Sequence, residues 1–321
     1  MVFFFMSQNP NRNIAAQRSA SDAGGGANTT LAGIALLVAA VACFACMDTT
    51  VKWLSASLPS LQIVSIRYIG SFLLTLALLR PAPGAPLLKA KRPGLQILRS
   101  LGIVLTTVCS FTALQYIPLT EVTSVTFSSP LIVAVIAWPL LGEKMGPRRV
   151  VAVLVGFAGV IVITRPGSHG VHPAIALAVL AAITNALYAV ATRMLAAHDS
   201  PKTTIFYTGL CGTVIMLPIL PFAWQTPTTI GTWLGLLVTG VFGALGHWLL
   251  ILAHQRATAT VLAPFFYAQL VFAMGLAMLF LGERPDVWTF VGASIVMGSG
   301  LYLIYRERVR KVPVPSADMP A

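Results

Sequence analysis

Residues 119–164 recur in altered form as residues 259–304, and this duplication limits what the chain can fold into more than any other feature. In the first copy an apolar run from Val122 ends at Leu141-Gly142-Glu143-Lys144, and a further run opens at Val150. In the second the run from Val261 ends at Leu281-Gly282-Glu283-Arg284, and Val287 opens the next. The same offset pairs Ala113 with Ala253, Gln115 with Gln255, Thr120 with Thr260 and Ala137 with Ala277. A period of about 140 residues is far too long for a solenoid. It reads as a duplicated half.

The composition says what solvent these halves use. A soluble chain of 321 residues with 57% apolar and 9% charged side chains cannot hide so much hydrocarbon, whereas lipid accepts it. Ten apolar segments lie at 31–54, 61–79, 97–114, 119–141, 149–164, 173–195, 204–223, 231–252, 259–281 and 287–305. Most approach the roughly 20 residues that cross about 30 Å of hydrocarbon as a helix. Five spans per half is an odd number, so the second half must insert upside down relative to the first. The expected fold is an all-α integral membrane protein of ten transmembrane helices, arranged as two inverted five-helix repeats at 31–165 and 173–305. A disordered tail at 1–30 and a basic tail at 306–321 flank them. The short run Val2 to Phe5 is too brief for a signal-peptide core, and no cleavable signal is expected.

Charge placement orients the chain. With the amino terminus inside, the outer side keeps Lys52, Arg67, Arg165 and Arg284, and the other seventeen of the 21 Lys and Arg fall inside. That asymmetry predicts a multi-pass protein of a bacterial-type inner membrane with both termini cytoplasmic and a basic cytoplasmic linker at 80–93. It puts Glu143 inside and Glu283 outside. The net charge of +12 therefore reads as insertion topology; no continuous basic patch marks a nucleic-acid partner. Cys43, Cys46, Cys109 and Cys211 all sit in apolar runs, and no second pair or nearby histidine completes a metal site around the first two. They read as small packing residues. Neither a metal nor a cofactor is expected.

Two Leu-Gly-Glu endings, the stretch Ala113-Leu114-Gln115-Tyr116-Ile117-Pro118, the mid-helix Ser129-Pro130, and basic Lys52 and Arg193 closing the first helix of each half form a recognisable set. In these features the chain resembles the drug/metabolite transporter superfamily, EamA type, over 31–305. The resemblance implies ten helices and a small organic cargo. Where the second half of many relatives repeats the proline of Pro130, this chain has Leu270, within Tyr267-Ala268-Gln269-Leu270-Val271. That variant resembles a subgroup that includes amino-acid and vitamin carriers.

Ionisable groups inside apolar segments are functional candidates. Asp48 and Lys52, spaced i,i+4, share one face of the first helix, and Arg67 lies about as deep in the antiparallel second. With Glu121 they are expected to form a charge network near the periplasmic mouth. It reads either as a structural clamp or as a gate that attracts anions, since buried charges need partners in both cases. Asn185 and Tyr188 share one face of the sixth span, and with His247, Trp248, Tyr267, Gln269, Phe127 and Ser128 they are candidates for a central substrate site between the halves. Each has an ordinary alternative in packing or interface anchoring. Pro130 predicts a kink, and Gly156, Gly159, Gly292, Gly298 and Gly300 predict close helix contacts within a half or between two protomers, leaving monomer and homodimer open.

Two functional classes follow. The first is a secondary carrier for an amino acid-like or vitamin-like metabolite, working by alternating access, with export favoured over uptake. The second is an integral membrane enzyme acting on a lipid or lipid-linked substrate. The five histidines form neither an HExxH nor any catalytic cluster, and no Gly-Lys-Ser/Thr loop offers ATP a cradle. These absences favour the carrier.

Overall fold

The computed structural model describes residues 10–79, 90–141, 146–165, 172–195 and 198–310. Glu143, Lys144, His169 and most of the 80–93 linker lie outside them. The described chain is helical: α1 (Pro10–Leu54), α2 (Ser60–Leu79), α3 (Pro93–Tyr116), α4 (Leu119–Thr126), α5 (Ser129–Leu141), α6 (Pro147–Thr164), α7 (Ala174–Leu195), α8 (Pro201–Met216), α9 (Ile230–Arg256), α10 (Ala259–Leu262), α11 (Ala268–Phe280) and α12 (Val287–Arg310). Helical backbone thus begins at Pro10, ahead of the apolar span that opens near residue 31. Local chemistry sets several starts. Pro93, Pro147 and Pro201 open α3, α6 and α8, where a missing N–H costs nothing. Ser200 accepts the Thr203 amide, and Thr229 and Thr232 cap α9 reciprocally.

Among the described residues nine helical stretches are long and apolar enough to cross a membrane. The seventh segment holds α8, only 16 residues long, which stops at Met216, two residues before Pro218. The chain continues through a short 3-10 turn at Leu220–Phe222. Large apolar side chains such as Leu98, Leu154, Leu237 and Leu279 stand outward, where lipid receives them.

The fourth span of each half is broken. In the first half α4 stops and α5 restarts across Phe127 and Ser128, with Pro130 as the second residue of α5, where it needs no hydrogen bond. In the second, α10 passes into a 3-10 turn, Ala263–Tyr267, before α11 begins. The break there needs no proline at Leu270, because Pro264 already lies inside the turn. Backbone at such depth must be satisfied internally: the Phe127 amide donates to Thr123 O at 2.9 Å and the Ser128 amide to Val125 O at 3.0 Å. Phe127 and Tyr267 occupy equivalent places in the two halves, and their rings meet with centroids 5.6 Å apart.

The halves interlock. α1 lies along α9, α7 lies along α3, and α6 packs on α12, so each major contact joins one half to the other. Glycines permit the close approaches: Gly240 meets Gly70, Gly246 lies under Phe44, and Gly159 faces Gly292. A Cβ on Gly292 would stand 2.6 Å from the Gly159 carbonyl oxygen, and a backbone atom inside a helix cannot step aside. Gly292→Ala is therefore expected to cost about 1–3 kcal/mol, read as a thermal midpoint lowered by several degrees in detergent. Gly298→Ala, where a Cβ meets nothing within 4 Å, should leave the midpoint unchanged.

Candidate substrate cavity between the halves

A cavity of about 560 Å³ opens where the two broken spans face each other, within the range of small-ligand pockets. Phe44, Met47 and Asp48 of α1, Arg67 of α2, Thr107 and Phe111 of α3, Asn185 and Tyr188 of α7, and His247 of α9 line it. The breaks contribute Phe127, Tyr267 and, at the start of α11, Gln269. From there the cavity runs to Arg149, Leu303 and Ile304, toward the end of the bundle where α12 finishes. Calling this the near end, the opposite or far end is where α1 finishes at Leu54.

The polar lining is specific. Gln269 Nε2 donates to Asp48 Oδ2 at 3.2 Å, joining the two halves across the cavity. Arg67, only 8% exposed, donates to Thr107 Oγ1 at 3.3 Å and places Nε 3.2 Å from Met47 Sδ, a weak acceptor. Its guanidinium lies 5.0 Å from the Tyr68 ring and 5.5 Å from that of Phe111. Asn185 donates to Ser129 Oγ at 3.2 Å, and His247 sets its ring edge-on to Phe44 at 5.0 Å. The Tyr267 hydroxyl is buried against Gly300 and has no hydrogen-bond partner among the described residues. Ser128, whose hydroxyl turns back to Val125 O at 2.7 Å, and the half-buried Trp248 are not in the lining.

The charged candidates divide between two places. Asp48 and Arg67 face the cavity, whereas Lys52 and Glu121 stand at the far end. Lys52 Nζ donates to the carbonyls of Leu114 and Ile117 at 2.7 and 2.9 Å, where α3 runs out of internal partners. Glu283, from the other half, accepts the Leu119 amide at 2.7 Å and the Thr120 amide and hydroxyl at 3.2 and 3.1 Å. It caps α4, whose N-terminus favours a negative charge. The Leu-Gly-Glu ending explains this reach: Gly282 takes a left-handed φ of 65°, terminating α11 and turning Glu283 back toward α4. Arg165 pairs with Asp286, and Glu121 lies in the field of both, as well as that of Glu283 and Lys52. Burial works to raise the Asp286 carboxyl, but hydrogen bonds from the Thr289 amide and hydroxyl and the charge of Arg165 outweigh it and hold it below the usual carboxylate range.

Sequence reasoning missed Arg99. In the sequence it reads as one more inner-face basic residue, although it falls inside the third apolar segment. In the structure it is 3% exposed, in the second turn of α3. Its guanidinium donates to Thr192 Oγ1 at 2.6 Å, Thr208 Oγ1 and the Tyr188 hydroxyl at 2.8 Å each, and Thr204 O at 3.2 Å. At the near end Asp199 accepts the Lys91 amide at 2.7 Å and Gln96 Nε2 at 2.9 Å. That tie fastens the loop after α7 to the start of α3.

The sequence profile described as the EamA-like transporter family matches residues 31–165 and 172–306. An S-adenosylmethionine uptake transporter of Rickettsia conorii is 30% identical, with 87% of this chain and 95% of the relative covered. A pseudopaline exporter of Pseudomonas aeruginosa is 32% identical over 83% and 93% of the two chains. A riboflavin transporter of Vibrio cholerae is 29% identical over 86% and 94%. One crystal structure superposes with a TM-score of 0.60 at 18% identity, over 89% of this chain and 99% of the other, which shows a shared fold.

Proposed function

Because this chain belongs to the EamA-like transporter family, a multi-pass membrane family whose matched relatives move small metabolites, we propose that it is a secondary carrier working by alternating access. The cargo is a small organic metabolite, amino acid-like or vitamin-like, and export is favoured over uptake. The membrane is the bacterial inner membrane, with both termini in the cytoplasm, so the far end faces outward.

The observation that carries this reading is the cavity itself, enclosed by two inverted halves at the level where both fourth spans are broken. Its lining reaches toward the near end, while Glu283 and the Arg165–Asp286 pair tie the halves together at the far end. That arrangement fits a carrier closed outward. Opening outward requires Glu283 to leave the α4 N-terminus, and closing inward draws α5 and the end of α12 together. Cargo acts on both through Asp48 and Gln269, which belong to different halves, and through the unpartnered Tyr267 hydroxyl.

The reading is tested in proteoliposomes preloaded with an unlabelled compound and given the same compound as external tracer, without nucleotide. S-adenosylmethionine, riboflavin and amino acids form the first panel, extended by any metabolite that raises the thermal midpoint of the purified protein. Tracer accumulation above protein-free vesicles is expected for at least one compound. If every stabilising compound fails to exchange, the carrier reading is lost.

A further inference from the structure

Beside the central cavity lies a smaller chamber of about 40 Å³, lined by Arg67, Tyr68 and Ser71 of α2, Arg99 of α3, Tyr188 of α7, Thr208 of α8 and His247 of α9, among others. It shares Arg67, Tyr188 and His247 with the cavity. By this measure of volume a single water needs roughly 10–15 Å³, so the chamber holds a compact group of a few heavy atoms.

Its walls are electrostatically incomplete. Arg67 and Arg99 are both more than nine-tenths buried, and among the described residues neither forms an ion pair with a carboxylate within 4 Å. Every acceptor on Arg99 is neutral: three hydroxyls and a backbone carbonyl. Arg67 uses one N–H on Thr107 and one on a thioether, which leaves three of the five donors of a guanidinium without a partner among the described residues. Asp48 feels the charge of Arg67, but its carboxylate is directed to Gln269. A buried guanidinium is costly unless an opposite charge and acceptors meet it. Two of them facing one small chamber, with a single carboxylate in the neighbouring cavity, leave a surplus of positive charge that the described residues do not neutralise.

We infer that the chamber between Arg67 and Arg99 is an anion subsite, built for one compact acidic group, a carboxylate or a chloride-sized inorganic ion. Arg67 supplies the open donors and Arg99 the second charge, while Ser71 and Thr208 donate their hydroxyls to Gly240 O and Thr204 O and so fix the walls. When the group belongs to the cargo, the cargo is amphoteric: its acid seats in the chamber, and its remaining body lies in the aromatic-walled cavity toward Asp48. This last step rests on the carrier reading, whereas anion binding at equilibrium does not.

The test uses the full-length protein purified in detergent without chloride. Sodium acetate or sodium chloride is titrated in against an equal ionic strength of a bulky sulfonate buffer salt. A saturable rise of about 2–4 °C in the thermal midpoint is expected for the wild type, and Arg99→Gln should abolish it. Arg67→Gln removes the opposite wall, should abolish it as well, and stands in if Arg99→Gln does not fold. Equal rises with chloride and acetate support a subsite open to either anion, and a rise with chloride alone assigns it to a free inorganic ion. A rise with acetate alone assigns it to the acid of the cargo. No rise in the wild type, or a rise undiminished in the folded variants, overturns the subsite. A protein that binds acetate but exchanges no metabolite would remove the carrier reading and leave the subsite standing.

Discussion

Arg67→Gln is expected to yield a folded protein whose transport falls by about 100-fold or more. The side chain is held mainly by ring faces, 5.0 Å from Tyr68 and 5.5 Å from Phe111, so a shorter neutral group fits the space without breaking a dense hydrogen-bond network. What disappears is the charge that faces both Asp48 and the cavity. Removing one member of a buried charged set leaves the other uncompensated, at roughly 3–5 kcal/mol, and every 1.4 kcal/mol is tenfold in affinity. A purely structural clamp and a cargo-binding or gating role separate in the double variant. Asp48→Asn with Arg67→Gln removes both charges, and replacing buried opposite charges together by neutral groups is often harmless to stability. If the two charges only clamp the bundle, the double variant recovers the thermal midpoint and transport together. If they meet cargo, the midpoint returns and transport does not. Thermal midpoints and initial exchange rates, measured on the same preparations, decide between them.

Glu283→Ala is the second large effect, and its sign is specific. The carboxylate accepts three hydrogen bonds at the start of α4 in the far-end-closed arrangement. A hydrogen bond to a charged group contributes about 1.5–3 kcal/mol. Losing even one bond's worth shifts the balance between closed and open far ends by roughly tenfold to a hundredfold toward open. A cysteine at Thr126, in the cavity wall, introduced into a background lacking the four native cysteines, reports this directly. Its labelling by a membrane-impermeant thiol reagent added from the far side should rise in Glu283→Ala, while exchange slows because the carrier no longer returns readily to the near-open form. Unchanged labelling would mean that the cap holds α4 without controlling access.

Much of this architecture is legible in the residues because it depends on local hydropathy and on parity. Leu141-Gly142-Glu143 and Leu281-Gly282-Glu283 betray the duplication, and an odd number of spans between them forces the inversion. Asn185, Tyr188, His247, Tyr267, Gln269 and Phe127 can be named in advance because polar or aromatic side chains stand out within apolar runs. What stays hidden depends on distance in sequence. Glu283 is visible as a motif, but its partners Leu119 and Thr120 are more than 160 residues away. Arg99 looks like one more positive charge near a cytoplasmic loop, and only the packing of α3 against α7 and α8 turns it inward. The second helix break escapes a search for a proline equivalent to Pro130, since Pro264 lies six residues before the equivalent position, Leu270. Ser128 has the composition of a lining residue, yet its hydroxyl is taken up by its own helix.

The pairing of α1 with α9 has a consequence for how the protein is made. About 175 residues separate the end of the first helix from the start of its principal neighbour. At roughly 5–20 residues per second, the first helix waits in the bilayer for some ten to thirty seconds before that neighbour is synthesised. During the wait, Lys52, Asp48 and Arg67 must be sheltered by lipid headgroups, water or the insertion machinery. The early helices therefore sit as a loose raft, and the ribosome has nearly finished its work before the molecule can first acquire an inside.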